Sequence, residues 1–147
     1  MHLKILAVDF GDARTGLACC DRTEFLASPV GVIHDYHLES TAQKVAHAVE
    51  EFEAKMVVVG HPINLDGSHG TRAQRCEEFA ACLGTLTDVP ICLWDERGTT
   101  VSAHGYLNEM DTRGKKRKEV VDELAAAIIL QNYLDYRHNN PQAEEKT

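Results

Sequence analysis

The residues best suited to chemistry are acids placed where apolar runs end. Asp9 closes the run from Leu3 to Phe10 (LKILAVDF) and is followed shortly by Gly11. Asp95-Glu96-Arg97 comes directly after Val89 to Trp94 (VPICLW), and Asp122 interrupts the apolar stretch VVDELAAAIIL. An acid at the carboxyl end of a buried strand opens toward the crevice where parallel sheets bind ligands. Asp9 would serve equally well as a turn residue accepting backbone N–H groups, and Asp95-Glu96-Arg97 as a solvated ion pair. Asp122 is costly to bury unless it is paired or bound to a cation; a place in or near the first helical turn, answering the helix dipole, is the bland alternative. Three carboxylates on one edge offer hard oxygen ligands for Mg²⁺ or Mn²⁺, not for a soft metal. Two such ions roughly 3.5–4 Å apart can activate water and stabilise the leaving oxygen of a phosphodiester.

Two segments are suited to holding the phosphate. Gly60 to Arg72 (GHPINLDGSHGTR) supplies three glycines, Ser68 and a terminal Arg72 where a helix opens, so it can present N–H groups and a helix N-terminus to an anion. It lacks the G-K-[ST] ending of a nucleotide-triphosphate loop. Asp111 to Val120 carries Arg113, Lys115, Lys116, Arg117 and Lys118 against Asp111 and Glu119, a local charge of +3. It reads as a basic loop directly before the helix that bears Asp122. Other chemistries find little support. No Ser-His-Asp or Cys-His order is indicated, and the eight histidines read as isolated, without the close pairs of a zinc site. The five cysteines (19, 20, 76, 82 and 92) include no C-x-x-C and read as buried, reduced thiols.

The elements that must position these residues follow from periodicity. Leu3 to Phe10 is an almost unbroken apolar run ending in an acid and reads as a central strand buried on both faces. Arg14 to Cys20 and roughly Glu24 to Ile33 complete an antiparallel meander, with Pro29 marking an edge or a bulge in the third strand. Leu38, Ala42, Val45, Val49 and Phe52 fall at helical spacing. Lys55 to Gly60 is a fourth strand, Arg72 to Leu86 a helix, and Val89 to Trp94 a fifth strand. A short helix through Leu107 and a last helix from Glu119 to Arg137 follow. Strands separated by helices run parallel through right-handed crossovers. The expectation is an α/β fold with a five-stranded mixed sheet in the order 3-2-1-4-5, flanked by helices.

With 147 residues, 44% hydrophobic and 26% charged, the chain fits one globular domain over 1–138 with a polar tail over 139–147. No apolar run is long enough for a membrane span, and no signal peptide is read at Met1 to Lys4, so the expected location is cytoplasmic. The net charge of −8 argues against a broad basic surface that coats nucleic acid. It leaves −11 outside the basic segment. A local, metal-dependent and salt-sensitive phosphate contact is the arrangement compatible with it.

LAVDFGDARTGLA, VVVGHPINLDGSHGTRA, WDERGTT and KKRKEVVDELAAAIILQNYLD, in that order, resemble the motifs of the YqgF family, also called RuvX. The likeness covers about Leu3 to Asp135. Family members are described as pre-16S rRNA nucleases and earlier as Holliday junction resolvases. The resemblance implies an RNase H-like (RuvC-like) fold and a nuclease dependent on Mg²⁺ or Mn²⁺ that matures the 5′ end of 16S rRNA in ribosome biogenesis. Carried over by motif, the metal-binding and catalytic acids are Asp9, Glu96 and Asp122, with Asp95 the weaker choice within its pair. Ala13, His61 and Gly98 depart from the common pattern without removing any of these acids.

The residues and the resemblance together imply a phosphodiesterase. Asp9, Glu96 and Asp122 hold one or two divalent ions, while Arg14, Ser68, Arg72, Arg97, Lys115, Lys116, Arg117 and Lys118 hold the nucleic-acid backbone. The partners expected are pre-16S rRNA or branched DNA and ribosomal subunit precursors, with the chain a monomer or a homodimer. Rival readings are a resolvase acting on branched DNA and a binding module that keeps the fold without hydrolysis. A kinase-like ATPase, suggested by D-F-G followed by Gly16, needs two related domains that 147 residues cannot hold.

Overall fold

Alternation along the first strand decides the architecture. β1 (Ile5–Asp9) has every residue through Val8 fully buried, which requires cover on both faces of the sheet. The computed structural model describes residues 4–20, 26–63, 66–95 and 114–139, with side chains of the last helix from 124 to 138. Within these, β2 (Arg14–Cys20), β3 (Ala27–His34), α1 (Leu38–Glu51), β4 (Met56–His61), α2 (Thr71–Gly84), β5 (Ile91–Asp95) and α3 (Gly114–Asn139) follow β1. The strand order is β3-β2-β1-β4-β5, as the periodicity predicts. β1 to β3 form an antiparallel meander, and β4 and β5 extend β1 in parallel.

Both meanings of Pro29 are realised. β3 is an edge strand, and its pairing with β2 skips Val30, with Leu17 opposite Gly31 and Ala18 opposite Pro29. The skipped residue lies on β3, so β2 keeps an unbroken period of two against β1.

The two faces carry separate cores. Leu6 and Val8 of β1, Leu17 of β2 and Val57 and Val59 of β4 pack against α1 and α2, through Val45, Val49, Phe79 and Leu83. Ile5, Ala7, Ala18, Cys20, Met56 and Val58 face the other way and pack against Ala126, Ile129, Leu130, Tyr133 and Leu134 of α3. A one-residue slip of β1 would exchange these sets, at roughly 1.5–3 kcal/mol for each large apolar side chain exposed. All five cysteines are free thiols. No described helix is long and apolar enough to cross a membrane.

Two boundaries differ from the sequence expectation. β4 runs one residue further than Gly60, so His61 ends a strand in place of beginning a loop. The last helix begins at Gly114 and not at Glu119. Lys115, Lys116, Arg117 and Lys118 are therefore helical positions and not a loop; lysine and arginine propagate helices well, so polarity alone does not break one. Asp122 becomes the ninth residue of α3, two turns beyond the first, where the helix dipole no longer accounts for it. The expected helix through Leu107 lies outside the described residues.

Candidate active site

Asp9 stands where the strand alternation sends it. Ile5 and Ala7 face α3, and Asp9 is the next residue of that parity on β1. Its side chain is 15% exposed. Arg14 has the parity of Ala18 and Cys20 on β2, so it belongs to the same face, and Gly16 pairs directly with Asp9.

The turn between β1 and β2 is tight. Gly11 N–H donates to Thr15 Oγ1 at 3.3 Å, and the fully buried Thr15 hydroxyl donates to the Gly11 carbonyl at 3.4 Å. A Cβ at position 11 would lie 2.2 Å from the Arg14 carbonyl oxygen, a separation no pair of unbonded heavy atoms tolerates. Glycine is thus required by the close approach of the chain to itself.

The start of α2 reaches back over this turn. Arg72 Nη2 lies 3.7 Å from Asp9 Oδ1. Arg75, one helical turn later, brings Nε to 3.5 Å from Asp12 Oδ1 and its guanidinium to 5.7 Å from the Phe10 ring centre. Phe10 itself stacks on Phe79 of α2 at 4.6 Å between ring centres. Arg72, expected from the sequence at the phosphate, stands beside Asp9 instead; Arg75 carries no motif of its own, and its i, i+3 spacing from Arg72 is the signal that the sequence offers. Ser68 is committed locally, with its N–H and its hydroxyl both donating to Asp66 Oδ1 at 2.9 and 2.6 Å. These bonds hold the Asp66 carboxyl below the ordinary carboxylate range, the Ser68 hydroxyl being the larger cause.

Asp95 ends β5 in register with His61. Cys92 and Trp94 face α3, whereas Ile91 faces α2. Asp95 therefore has the parity of the α2 face, opposite to that of Asp9. Glu96 and Arg97, with Arg113, lie outside the described residues. Asp122 is described as a helical position only, as are Lys115 to Lys118. Position 122 lies four, seven and eleven residues before Ala126, Ile129 and Tyr133, so it shares their helix face, and those three are buried on the sheet.

One cluster contradicts the expectation that each histidine is isolated. His61 Nε2 and His69 Nδ1 both lie 2.8 Å from Glu77 Oε2. The spacing H-x7-H-x7-E carries no familiar signature; a strand, a loop and a helix must fold back before the three meet.

A family model described as "RuvX: Holliday junction resolvase" matches residues 3–136. A protein of Ruminiclostridium cellulolyticum named "Putative pre-16S rRNA nuclease" is 37% identical, over 90% of this chain and 94% of its own length. A protein of the same name from Ruegeria pomeroyi is 42% identical, over 92% of this chain and 88% of its own. Among solved structures, Thermus thermophilus RuvC in complex with a Holliday junction substrate aligns with a TM-score of 0.63 at 14% identity, covering 95% of this chain and 98% of that one. That likeness establishes the RuvC-like fold.

Proposed function

The chain belongs to the RuvX family, and on that premise we propose that it is a metal-dependent nuclease hydrolysing phosphodiester bonds, acting at the 5′ end of pre-16S rRNA in the cytoplasm. The single domain over 1–138 would form the nuclease. Asp9, Glu96 and Asp122 would hold Mg²⁺ or Mn²⁺. The donor chemistry fits, since carboxylate oxygens are the hard ligands these ions prefer. Such an ion supplies charge neutralisation at the phosphate and a water more acidic than bulk water.

The observation that carries this reading is the shared face of positions 9 and 122. Asp9 has the parity of the β1 residues that touch α3. Tyr133 OH donates to Met56 Sδ, and Gln131 Oε1 accepts from Ala27 N–H, so this part of α3 crosses the edge where β1 and β4 begin. Position 122 lies eleven residues earlier, about 16 Å along the helix. Ile5 to Asp9 spans about 13 Å of strand. Ala126 between them is fully buried, which keeps α3 over the sheet toward the edge where Asp9 stands. Glu96 is preferred to Asp95 as the acid that the D-E-R motif carries over, and Asp95 itself has the parity of the α2 face.

Around these acids the chain's own cations would bind and orient the substrate. Arg72 would trade its Asp9 partner for a phosphate oxygen as a cation neutralises the acids. Arg14 shares the Asp9 face, and Lys115, Lys116, Arg117 and Lys118 would flank the same edge from the first turns of α3. Arg97 would follow Glu96, and Ser68 would act through its loop.

Cleavage of a short RNA spanning the 16S 5′ end, beside a four-way DNA junction, each with Mg²⁺, Mn²⁺ or EDTA, tests the proposal. RNA cleavage with either metal and none in EDTA is expected. Cleavage of the DNA junction alone would replace RNA by branched DNA as the substrate, and cleavage of neither would overturn the nuclease reading.

A further inference from the structure

His61, His69 and Glu77 come from three segments and converge on one point. His61 is the last residue of β4 and is 7% exposed. His69 lies just before α2 and Glu77 is the seventh residue of α2. The two imidazole rings stand 5.1 Å apart between centres and nearly perpendicular, at 76°. The three ligand atoms lie within 4.8 Å of one another.

A carboxylate oxygen only accepts hydrogen bonds, so His61 donates through Nε2–H and His69 through Nδ1–H to the same Glu77 oxygen. These bonds hold the Glu77 carboxyl below the ordinary glutamate range, with the His61 bond the larger cause. Two rings aimed at one atom also describe how imidazoles approach a cation. Around a tetrahedral ion with bonds of about 2.0–2.1 Å, ligand atoms sit about 3.3 Å apart. The present 2.8 Å separations need to open by only about half an ångström, which the side chains of His69 and Glu77, 45% and 39% exposed, can supply.

We propose that His61, His69 and Glu77 form a transition-metal site of the zinc class, which staples the 66–70 segment to α2. Two imidazoles with one carboxylate suit Zn²⁺ or Co²⁺ better than Mg²⁺ or Ca²⁺. The buried His61 anchors the ion to the sheet, and the exposed side leaves room for a water as fourth ligand. Asp95, opposite His61 in register, adds a neighbouring carboxylate on this side of the sheet, which favours a cation there. The staple would fix the approach of α2, and with it Arg72 and Arg75, whose guanidinium groups reach Asp9 and Asp12. The site lies on the α2 face, opposite to the face of Asp9 and position 122, and it stands or falls independently of the nuclease reading.

The test is titration of the EDTA-stripped, desalted full-length chain with Co²⁺ and with Zn²⁺, followed by visible absorption and calorimetry. One tight equivalent per chain is expected, with the d–d bands of a tetrahedral ion, and D9N should retain that tight equivalent and those bands, since the carboxylate site on the other face is a separate, oxygen-only one. H69A and E77Q should weaken Zn²⁺ binding by more than about a hundredfold, beyond what loss of an outer-shell contact causes. Zn²⁺ should raise the thermal midpoint of the parent chain and leave that of H69A unchanged. Because His69 is half-exposed, H69A keeps its fold, and circular dichroism checks this directly. No uptake, uptake unchanged in both H69A and E77Q, or a sulfur-to-cobalt charge-transfer band would overturn the site.

Discussion

Arg72 Nη2 lies 3.7 Å from Asp9 Oδ1, so the head of α2 sets a cation beside the carboxylate that ends the central strand. The arginine is 60% exposed and the aspartate 15%. At that separation the pair is a long contact in which Arg72 can still turn to another anion, and surface ion pairs of this kind contribute little to stability. Its removal should therefore be read in substrate handling. R72A is expected to raise KM for a phosphodiester substrate by about tenfold, the equivalent of roughly 1.4 kcal/mol, with kcat nearly unchanged and the unfolding midpoint within error. R72K should recover only part of the affinity, because lysine cannot form a bidentate contact with phosphate. Steady-state kinetics with denaturant unfolding separates the two effects.

The acids should behave differently. D9N, E96Q or D122N is expected to lower metal-dependent cleavage by at least about a hundredfold, since each removes several kcal/mol of ion and transition-state stabilisation. Circular dichroism should be unchanged. Full activity in all three variants would remove these residues from the site.

Gly11 is a structural test of the same edge. G11A forces a Cβ to within 2.2 Å of the Arg14 carbonyl, so the β1–β2 turn must open. A loss of roughly 1–3 kcal/mol of stability is expected, the usual range for overpacking, together with reduced activity as Asp9 and Arg14 move apart. Urea unfolding beside an activity assay checks both.

Asp35 gives a pH prediction. Its carboxylate accepts from the Ser40 hydroxyl and the His37 N–H and pairs with Lys44 Nζ at 2.9 Å. These contacts, the Ser40 bond first, hold it far below the usual carboxylate range. A depressed folded-state value means that its stabilisation is fully present above the unfolded value, about 3.9, and is lost as pH falls further. D35N should be less stable than the parent chain at pH 7. The difference should shrink steadily below about pH 4, as followed by urea unfolding at each pH.

Much of this protein is legible from its sequence because hydrophobic period is a local property. An almost unbroken apolar run at Leu3 to Phe10 dictates a central strand, Pro29 an edge or bulge, and the alternation of apolar runs with helical spacing the order 3-2-1-4-5. The motifs around Asp9, Asp95-Glu96 and Asp122 likewise point to carboxylate chemistry from residue type and spacing alone. Helix ends are less legible. The basic run at 115–118 reads as a loop because charge and polarity mark exposure, yet its residues are good helix formers and the helix begins before them, at Gly114.

Contacts between distant segments are where sequence falls silent. That Arg72 reaches Asp9, that Arg75 lies over Phe10, and that His61 and His69 share Glu77 all depend on how α2 returns across the sheet. The parity that divides Asp9 from Asp95 depends on which helix covers which face. Sequence determined the elements and the chemical character of their ends, because both arise from neighbours in the chain. Tertiary structure alone decided which of those ends meet, because a side-chain pair forms only where packing of the two cores brings separate backbones within a few ångströms.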